Sequence, residues 1–444
     1  MHLEHVKFSF EVQLVTDAHV GDGRRTTMSA LRPRHQVEEA DSEVATIIRD
    51  YRGRPTLPST ALKGALRKAN LHHMSADEVD RFFGSVKSAE EGAMGLFALY
   101  AGEWDASQSP GAGSLPYWDG EKSSWIATRV AISREHGAVE HMKLFNMEMM
   151  PAGGVFRVSG VWFGSLEAAE TNLPRLLAPF ALDAGLSVGA GTRLGQGAVR
   201  FKRREGQLFL NVTRFVAETG EVETKAVSRP LTIRPPVKVE TSATLSLFCQ
   251  GPFLSVDPSM LKGANSTNRI NALKRDDDTP VLHLSSIAGA IRSRAAWISA
   301  CRGFGEDNRF RKPGSWSHVS ELTPVERLFG VGGWRGLLRL SQPEMIAARA
   351  HRDLTSIAID RFSGAVIDAA LFAYEVFTGV ELTVTLTLER RCAKDGTEVP
   401  QEIDLQLYDA LLSDLEGDVL MLGHATNRGF GWFDVQSVKR SEAA

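Results

Sequence analysis

The sequence of 444 residues contains only three cysteines, Cys249, Cys301 and Cys392. They are too few and too widely spaced for a disulfide framework or a cysteine-based zinc site. No stretch approaches the roughly 18 uninterrupted apolar residues of a membrane helix. We therefore expect a protein of the reducing cytoplasm. Neither sign of charge dominates, because the formal net charge is −3, and this balance argues against a general nucleic-acid coat protein.

Local basic patches stand out against this balanced background. They are Arg24-Arg25, Lys63 with Arg67, and Lys202-Arg203-Arg204. Such patches influence binding more than the overall charge does, although a solvated charged face is the alternative for each. The apolar content of 43% is enough for a buried core.

The chain repeats itself. Residues 131–148 and 358–375 share the ungapped pattern A-I-x-R-x-x-G-A-V-x-x-x-x-L-F-x-x-E. Three further blocks recur in the same order, namely residues 57–67 with 282–292, 81–84 with 327–330, and 189–197 with 423–431. Repeats this long predict two homologous domains, because solenoid periods are only about 20–50 residues.

We predict a first domain at residues 1–216, a linker at 217–238 and a second domain at 239–444. The linker is suggested by prolines and glutamates among few large apolar residues. Each half follows the order strand, helix, strand, strand, helix, strand. This order is typical of a ferredoxin-like, RRM-type α+β unit, here with loop and hairpin insertions.

Two glycine-rich loops are candidate anion sites. Gly189, Gly191 and Gly195 in the first loop, and Gly423 and Gly429 in the second, would let backbone N–H groups approach a phosphate closely. A tight structural turn is the alternative. A dinucleotide site is disfavoured, because the first loop precedes a strand instead of opening a helix.

The predicted helix after Pro58 is a second candidate. Ser59-Thr60 lies at its N-terminus, where free N–H groups favour phosphate. Lys63 and Arg67 are four residues apart on one face. Their counterparts in the second repeat are Ala288 and Arg292, so only the arginine is kept. Plain helix capping is the alternative.

These blocks resemble a known family. Residues 57–67, L-P-S-T-A-L-K-G-A-L-R, are similar to the P-G-S-S-L-K-G-x-L-R signature of the RAMP superfamily, the repeat-associated proteins of CRISPR effector complexes. The A-I-D-R-F-S-G-A-V block and the G-x-x-x-x-R-G-F-G loop resemble two further blocks of that family, especially in type III systems. The resemblance covers nearly the whole chain except the linker. Pro58-Ser59-Thr60 lacks the usual glycine, and His283-Leu284 replaces the expected proline and glycine.

The resemblance implies two tandem RAMP domains that bind a guide RNA and its complementary target RNA, next to other RAMP-type and large effector subunits. In the family, a hairpin thumb displaces a base of the guide–target duplex, and residues 134–143 and 361–370 lie at the corresponding places. The implied RNA-binding residues are Lys63, Arg67, Arg134, Gly189, Gly191, Arg193, Gly195, Arg292, Arg361, Gly423, Arg428 and Gly429.

Cleavage is also implied, since some members cut target RNA with a loop carboxylate and a divalent metal. A carboxylate can hold Mg²⁺ or Mn²⁺, which stabilises the charge that develops on the phosphate. Asp41 is the leading catalytic and metal-binding candidate, and Asp276 is the nearest equivalent in the second repeat. The other acidic residues of the first loop are Asp17, Asp22, Glu38, Glu39, Glu43 and Asp50.

Two alternatives stay open. The first is a structural backbone subunit that binds RNA without cutting it. The second is a repeat-RNA processing endonuclease of the same superfamily. Duplication favours a backbone role, because each repeat can span one segment of a guide.

Overall fold

The computed structural model describes residues 4–32, 42–71, 74–86, 92–110, 115, 117–132, 139–182, 185–192, 195–203, 206–216, 221–233, 241–256, 269–275, 278–308, 310–346, 350–393 and 395–442. Within these ranges, two separate large sheets carry the two halves of the sequence repeat. None of the helices in the described ranges is long and apolar enough to cross a membrane.

The first repeat combines fifteen strands and four α-helices in its described part. Its helices are α1 (Met28–Leu31), α2 (Ser59–Asn70), α3 (Ala76–Phe83) and α4 (Leu166–Leu177). Its strands are β1 (Glu4–Leu14), β2 (Gly21–Thr27), β3 (Glu43–Ile47), β4 (Thr56–Leu57), β5 (Ser85–Val86), β6 (Gly92–Ala93), β7 (Phe97–Leu99), β8 (Gly102–Trp104), β9 (Trp125–Ile132), β10 (Val139–Met149), β11 (Val155–Phe163), β12 (Leu186–Ser187), β13 (Ala198–Phe201), β14 (Gly206–Val216) and β15 (Glu221–Ile233).

The second repeat follows the same plan, with a longer first and last helix and a shorter middle one. Its helices are α5 (Leu284–Cys301), α6 (Pro324–Phe329) and α7 (Glu402–Leu415). Its strands are β16 (Thr241–Cys249), β17 (Arg269–Ile270), β18 (Leu338–Leu340), β19 (Glu344–Ile346), β20 (Ala350–Ile359), β21 (Val366–Thr378), β22 (Val380–Leu388), β23 (Arg391–Cys392), β24 (Glu398–Val399), β25 (Val419–Met421) and β26 (Trp432–Glu442).

The central sheets of the two repeats have the same strand order. In the first, β13, β1, β11 and β7 lie side by side with antiparallel pairing. In the second, β26, β16, β22 and β18 do the same. Alternation explains how β1 forms, because Val6, Phe8, Phe10, Val12 and Leu14 all point to the buried face. Leucines of α2 and α4 pack against that face and complete one core.

The predicted linker is the main correction to the domain boundaries. Within residues 217–238, Glu221–Ile233 is not a linker but a strand, β15, which pairs with β14 along its length. Valine, threonine and isoleucine residues in this segment favour an extended chain, and the exposed edge of β14 supplies its hydrogen-bond partner. Proline and glutamate content concealed this pairing, and the first sheet continues to residue 233.

The two repeats contact each other through specific side chains. The Arg339 Nη1 donates to the carbonyl of Gly185 at 2.8 Å. The amide of Gln342 donates to Asp17 Oδ2 at 3.3 Å.

The rings of Trp125 and His283 also stack across this boundary, at 5.7 Å between centroids and 8° between planes. We call these contacts, together with the packing of Gly195 against Leu284, the joint. The joint fixes how the first repeat meets the beginning of α5.

Candidate nucleic-acid interface

A long β-hairpin extends from each repeat and contains the A-I-x-R block. In the first repeat, β9 pairs with β10, and β10 pairs in parallel with β3. In the second, β20 pairs with β21, and β21 pairs in parallel with β17. These are the places predicted for the thumbs. Arg134 lies outside the described residues.

The tip of the second hairpin is exposed to solvent. Asp360 closes its turn by accepting the backbone N–H groups of Ser363 and Phe362 at 2.8 and 2.7 Å, and these bonds lower the pKa of Asp360. Arg361 is exposed, and Phe362 is 102% exposed. The strands also expose Leu354, Ile357, Ile359, Val366, Ile367 and Leu371. A two-stranded hairpin is marginal alone, so this apolar surface fits a binding partner.

A buried carboxylate fixes the base of the first hairpin. Glu148 is fully buried and accepts the Ile47 N–H at 3.1 Å and the Ser124 hydroxyl at 2.6 Å. The Oε1 atom of Glu148 lies 2.5 Å from Arg49 Nη2 and 3.5 Å from Arg32 Nη1. These donors compensate for the loss of water around the carboxylate. The hairpin is thereby tied to the segment that leads into α2.

The second repeat has the same connection. Glu375 accepts the Ala272 N–H at 2.8 Å and lies 3.0 Å from Lys274 Nζ. Sequence reasoning missed both glutamates, although each is the final residue of the shared eighteen-residue pattern. The basic partners of these glutamates do not form a shared pattern, because Arg49 of the first repeat is replaced by Lys274 in the second.

The outer glycines of both loops serve close backbone packing. A Cβ at Gly189 would lie 2.3 Å from the carbonyl oxygen of His19. A Cβ at Gly423 would lie 2.6 Å from the carbonyl oxygen of Leu254. Both glycines have positive φ, +79° and +90°, which other residues rarely adopt. The geometry therefore favours the structural-turn interpretation for these two positions, and their RNA contacts stay a prediction.

The inner glycines of the first loop are also enclosed. A Cβ at Gly191 would lie 2.1 Å from Gln196 Oε1. Gly195 is buried, and a Cβ there would lie 3.0 Å from Leu284 of the second repeat. Arg193 lies outside the described residues. The part of the first loop around Gly195 thus packs against protein in this structure.

The second loop is open where the first is covered. Gly429 is exposed, and no atom lies within 4 Å of the place where its Cβ would be. Beside it, the exposed Arg428 donates from Nη1 to the hydroxyl of Tyr374 at 2.6 Å. Tyr374 belongs to β21, so this hydrogen bond connects the open loop to the base of the exposed hairpin. Loop and hairpin together form the candidate interface.

Arg67 makes contacts within its own repeat. It donates to the carbonyl of Gly84, which ends α3, and it pairs with Asp80. Lys63, one turn earlier, is half-buried, and desolvation together with Arg67 lowers its pKa. The phosphate contacts of both residues stay a prediction, although Arg67 already has protein partners.

Arg292 makes the equivalent contacts in the second repeat. It donates to the carbonyl of Gly330 at 2.8 Å and forms two hydrogen bonds with Asp307, at 2.7 and 3.0 Å. The last arginine of the L-K-G-A-L-R block therefore anchors the glycine that ends the next short helix in both repeats. This shared role accounts for the arginine at both positions without RNA.

The two catalytic candidates, Asp41 and Asp276, both lie outside the described residues. Their catalytic roles, and that of Asp41 as a metal ligand, stay predictions.

No group of three or more histidine, cysteine, aspartate or glutamate side chains is placed to hold a metal ion in the described ranges. Four acidic residues of the first loop have protein partners, namely Asp17 with Gln342 at 3.3 Å, Asp22 with Thr46 at 2.7 Å, Glu43 with Arg25 at 3.0 Å, and Asp50 with Arg54 at 2.9 Å. Glu38 and Glu39, like Asp41, fall outside those ranges.

Comparison with known proteins agrees with the duplication. The family model described as the RAMP superfamily matches residues 11–200 and 255–434 of this chain. The two matched regions each contain the helices, the hairpin and the glycine loop of one repeat, and the unmatched middle contains β14, β15 and β16. No curated protein matches the chain.

Proposed function

Because this chain belongs to the RAMP superfamily, we propose that it is an RNA-binding backbone subunit of a type III-like CRISPR ribonucleoprotein. RAMP proteins generally bind CRISPR RNA and partner subunits of the same system. In our proposal each repeat binds one segment of guide RNA and its paired target. We also propose that each repeat is ferredoxin-like, a view supported by the shared order of four antiparallel strands.

The exposed second hairpin beside the open glycine loop is the observation that carries this proposal. Arg361 and Phe362 at the tip offer a cation and an aromatic ring to a nucleic acid. Displacing a base from a stack costs a few kcal/mol, and an apolar tip can cover the surface that displacement exposes. The backbone of the guide then passes over Arg428 and Gly429.

Target cleavage is the finer part of the proposal. Asp41 would be the ligand of Mg²⁺ or Mn²⁺, and the metal would stabilise charge on the cleaved phosphate. Asp276 stays the candidate for the second repeat. A non-catalytic backbone subunit is the second candidate function, supported by the protein partners of the described loop carboxylates. A repeat-RNA processing endonuclease has no such observation behind it.

The binding proposal is tested with the purified protein, a guide RNA and a labelled complementary RNA. The double substitution Arg361→Ala with Phe362→Ala should weaken target binding while guide binding is retained. Trp297→Ala is the matched control, because Trp297 is 57% exposed and belongs to α5, not to the hairpin. Unchanged target affinity in the double variant would overturn the role of the hairpin.

A further inference from the structure

The joint between the repeats shows how one such domain attaches to the next. The first repeat contributes Asp17, Trp125 and the Gly185 carbonyl, and the second contributes Gln342, His283 and Arg339. Arg129 lies near both Asp17 and His283, and its positive charge acts to lower the pKa of each. Since the chain is a repeat, the second repeat has an open face at the place where the first repeat carries its half of the joint.

That open face carries different residues. The N–H of Gly197 donates to the Asp17 carbonyl at 3.0 Å, and the N–H of the equivalent Gly431 donates to the Pro252 carbonyl at 2.7 Å, which aligns Asp17 with Pro252. The registers of the two hairpins align Trp125 with Arg352 and Arg129 with Ser356. In place of Asp17, Trp125 and Arg129, the second repeat has Pro252, Arg352 and Ser356.

The first repeat differs in the same way at its own open face. The L-P-S-T and L-H-L-S blocks align His283 with Pro58. Strand β7 pairs with β11, and β18 pairs with the equivalent strand β22. These two registers align Arg339 with Ala98 and Gln342 with Ala101. In place of His283, Arg339 and Gln342, the first repeat has Pro58, Ala98 and Ala101.

Two chains placed end to end could not reproduce the joint. Pro252 and Ala101 cannot form the hydrogen bond between Asp17 and Gln342. Arg352 and Pro58 cannot form the stack of two rings, and Ala98 has no guanidinium for a carbonyl. All three specific contacts would be lost, so a homopolymer built in this way is disfavoured.

We propose that the open face of the second repeat binds a RAMP-type domain of a different polypeptide and rejects a second copy of this chain. The proposal rests on the proposed function, since it concerns neighbours in the same assembly. Arg352 is exposed and occupies the place of Trp125, opposite the residue that precedes the first helix of the partner. An acidic or aromatic residue there would pair with the guanidinium.

An apolar pair on the same face supports a protein partner. Met421 and Trp432 lie opposite each other in the β25–β26 ladder and are 55% and 51% exposed. Their counterparts in the first repeat are the small residues Ser187 and Ala198, and Ala198 is only 5% exposed. The indole of Trp432 donates to the carbonyl of Thr426 at 2.9 Å, which holds the pair in place. A protein partner on this face would remove the apolar surface of the pair from water.

Sedimentation of the protein of 444 residues tests whether it rejects a second copy of itself. We expect a monomer over a wide concentration range, with and without bound guide RNA. A first variant carries Pro252→Asp, Arg352→Trp and Ser356→Arg, and a second carries Pro58→His, Ala98→Arg and Ala101→Gln. Each should stay monomeric alone, and their mixture should form dimers. Melting curves like that of the unmodified protein show that the variants fold.

End-to-end oligomers of the unmodified chain would overturn the proposal. So would a folded mixture of variants that stays monomeric, because these residues would then not select the partner. In the assembled complex, Arg352→Glu with Trp432→Ala should release the neighbouring subunit and keep guide RNA, and full retention of that subunit would also overturn it. Absence of guide RNA from the unmodified complex would instead contradict the proposed function.

Discussion

The carboxylate of Glu148 lies 2.5 Å from the Arg49 guanidinium inside the first repeat. Glu148→Gln should lower the free energy of unfolding by about 3–5 kcal/mol, because Arg49 would lose its carboxylate and the buried Arg32 would keep only Asp119, at 3.9 Å. Glu43→Gln is the matched control, since its ion pair with Arg25 is exposed and contributes less than about 1 kcal/mol. Urea unfolding measures both changes. Equal losses would contradict a special role for the buried pair.

The second glycine loop allows a test within one turn. Gly431 and Gly429 have φ of +63° and +83°, so alanine should cost about 1–2 kcal/mol at each from backbone strain alone. A Cβ at Gly431 would also lie 1.8 Å from the Leu422 carbonyl oxygen, whereas Gly429 has open space. Gly431→Ala should therefore lower the melting temperature more than Gly429→Ala. The reverse order would show that the loop rearranges.

Arg292 and Lys63 should respond differently to alanine. Arg292→Ala should destabilise the protein by about 3 kcal/mol, because the largely buried Asp307 loses its ion pair. Lys63→Ala should leave stability nearly unchanged. If Lys63 contacts a phosphate, its loss should reduce the slope of log affinity against log salt by roughly 0.7–0.9. Unfolding curves and RNA titrations at several salt concentrations separate the two effects.

Cleavage distinguishes the two acidic candidates. With guide, labelled target and Mg²⁺, Asp41→Ala should remove one product while target binding is retained, because the metal would lose its ligand. Chelation of the metal should have the same effect on the unmodified complex. Asp276→Ala tests the second repeat, and loss of a different product would establish a second cutting site. Uncut target despite tight binding in the unmodified complex would favour the purely structural subunit.

The joint should weaken in mild acid. Burial, helped by Arg129, lowers the pKa of His283 from its ordinary 6.5 to about 4. The unfolded chain therefore binds this proton more readily, so the stability from neutral His283 is complete above pH 6.5 and is lost as pH falls towards 4. His283→Phe should flatten that decline and keep a ring against Trp125. Unfolding measured from pH 7 to about pH 4 would contradict this if both proteins declined equally.

Asp17 does not disturb that comparison. Burial raises the pKa of Asp17, so its contribution has the opposite sign, and stability from this group increases as the pH falls. The contribution is present in both proteins and largely cancels in their difference. The difference between the two curves therefore isolates His283.

The duplication was predictable because the four repeated blocks occur in the same order in both halves of the sequence. The alternation of β1 from Val6 to Leu14 likewise predicted its strand, and membership of the RAMP superfamily is confirmed. The roles of Arg67 and Arg292 were not predictable in this way. Their partners are backbone carbonyl groups of Gly84 and Gly330, and a carbonyl has no sequence signature.

Contacts between distant, unrepeated residues also escaped the sequence. Trp125 and His283 are 158 positions apart and neither recurs in the other repeat, so no pattern connects them. The pairing of β14 with β15 depends on which edge is free after folding. Composition alone cannot report that, which is why the prolines near Ile233 suggested a linker.

Strand β15 limits where the polypeptide can be divided for separate expression. A half ending at residue 216 would leave the long edge of β14 without its partner, and unpaired N–H and C=O groups on such an edge recruit other chains. A half ending just after Ile233 would keep that edge covered. A half cut at residue 216 should aggregate, and a half cut just after Ile233 should remain soluble.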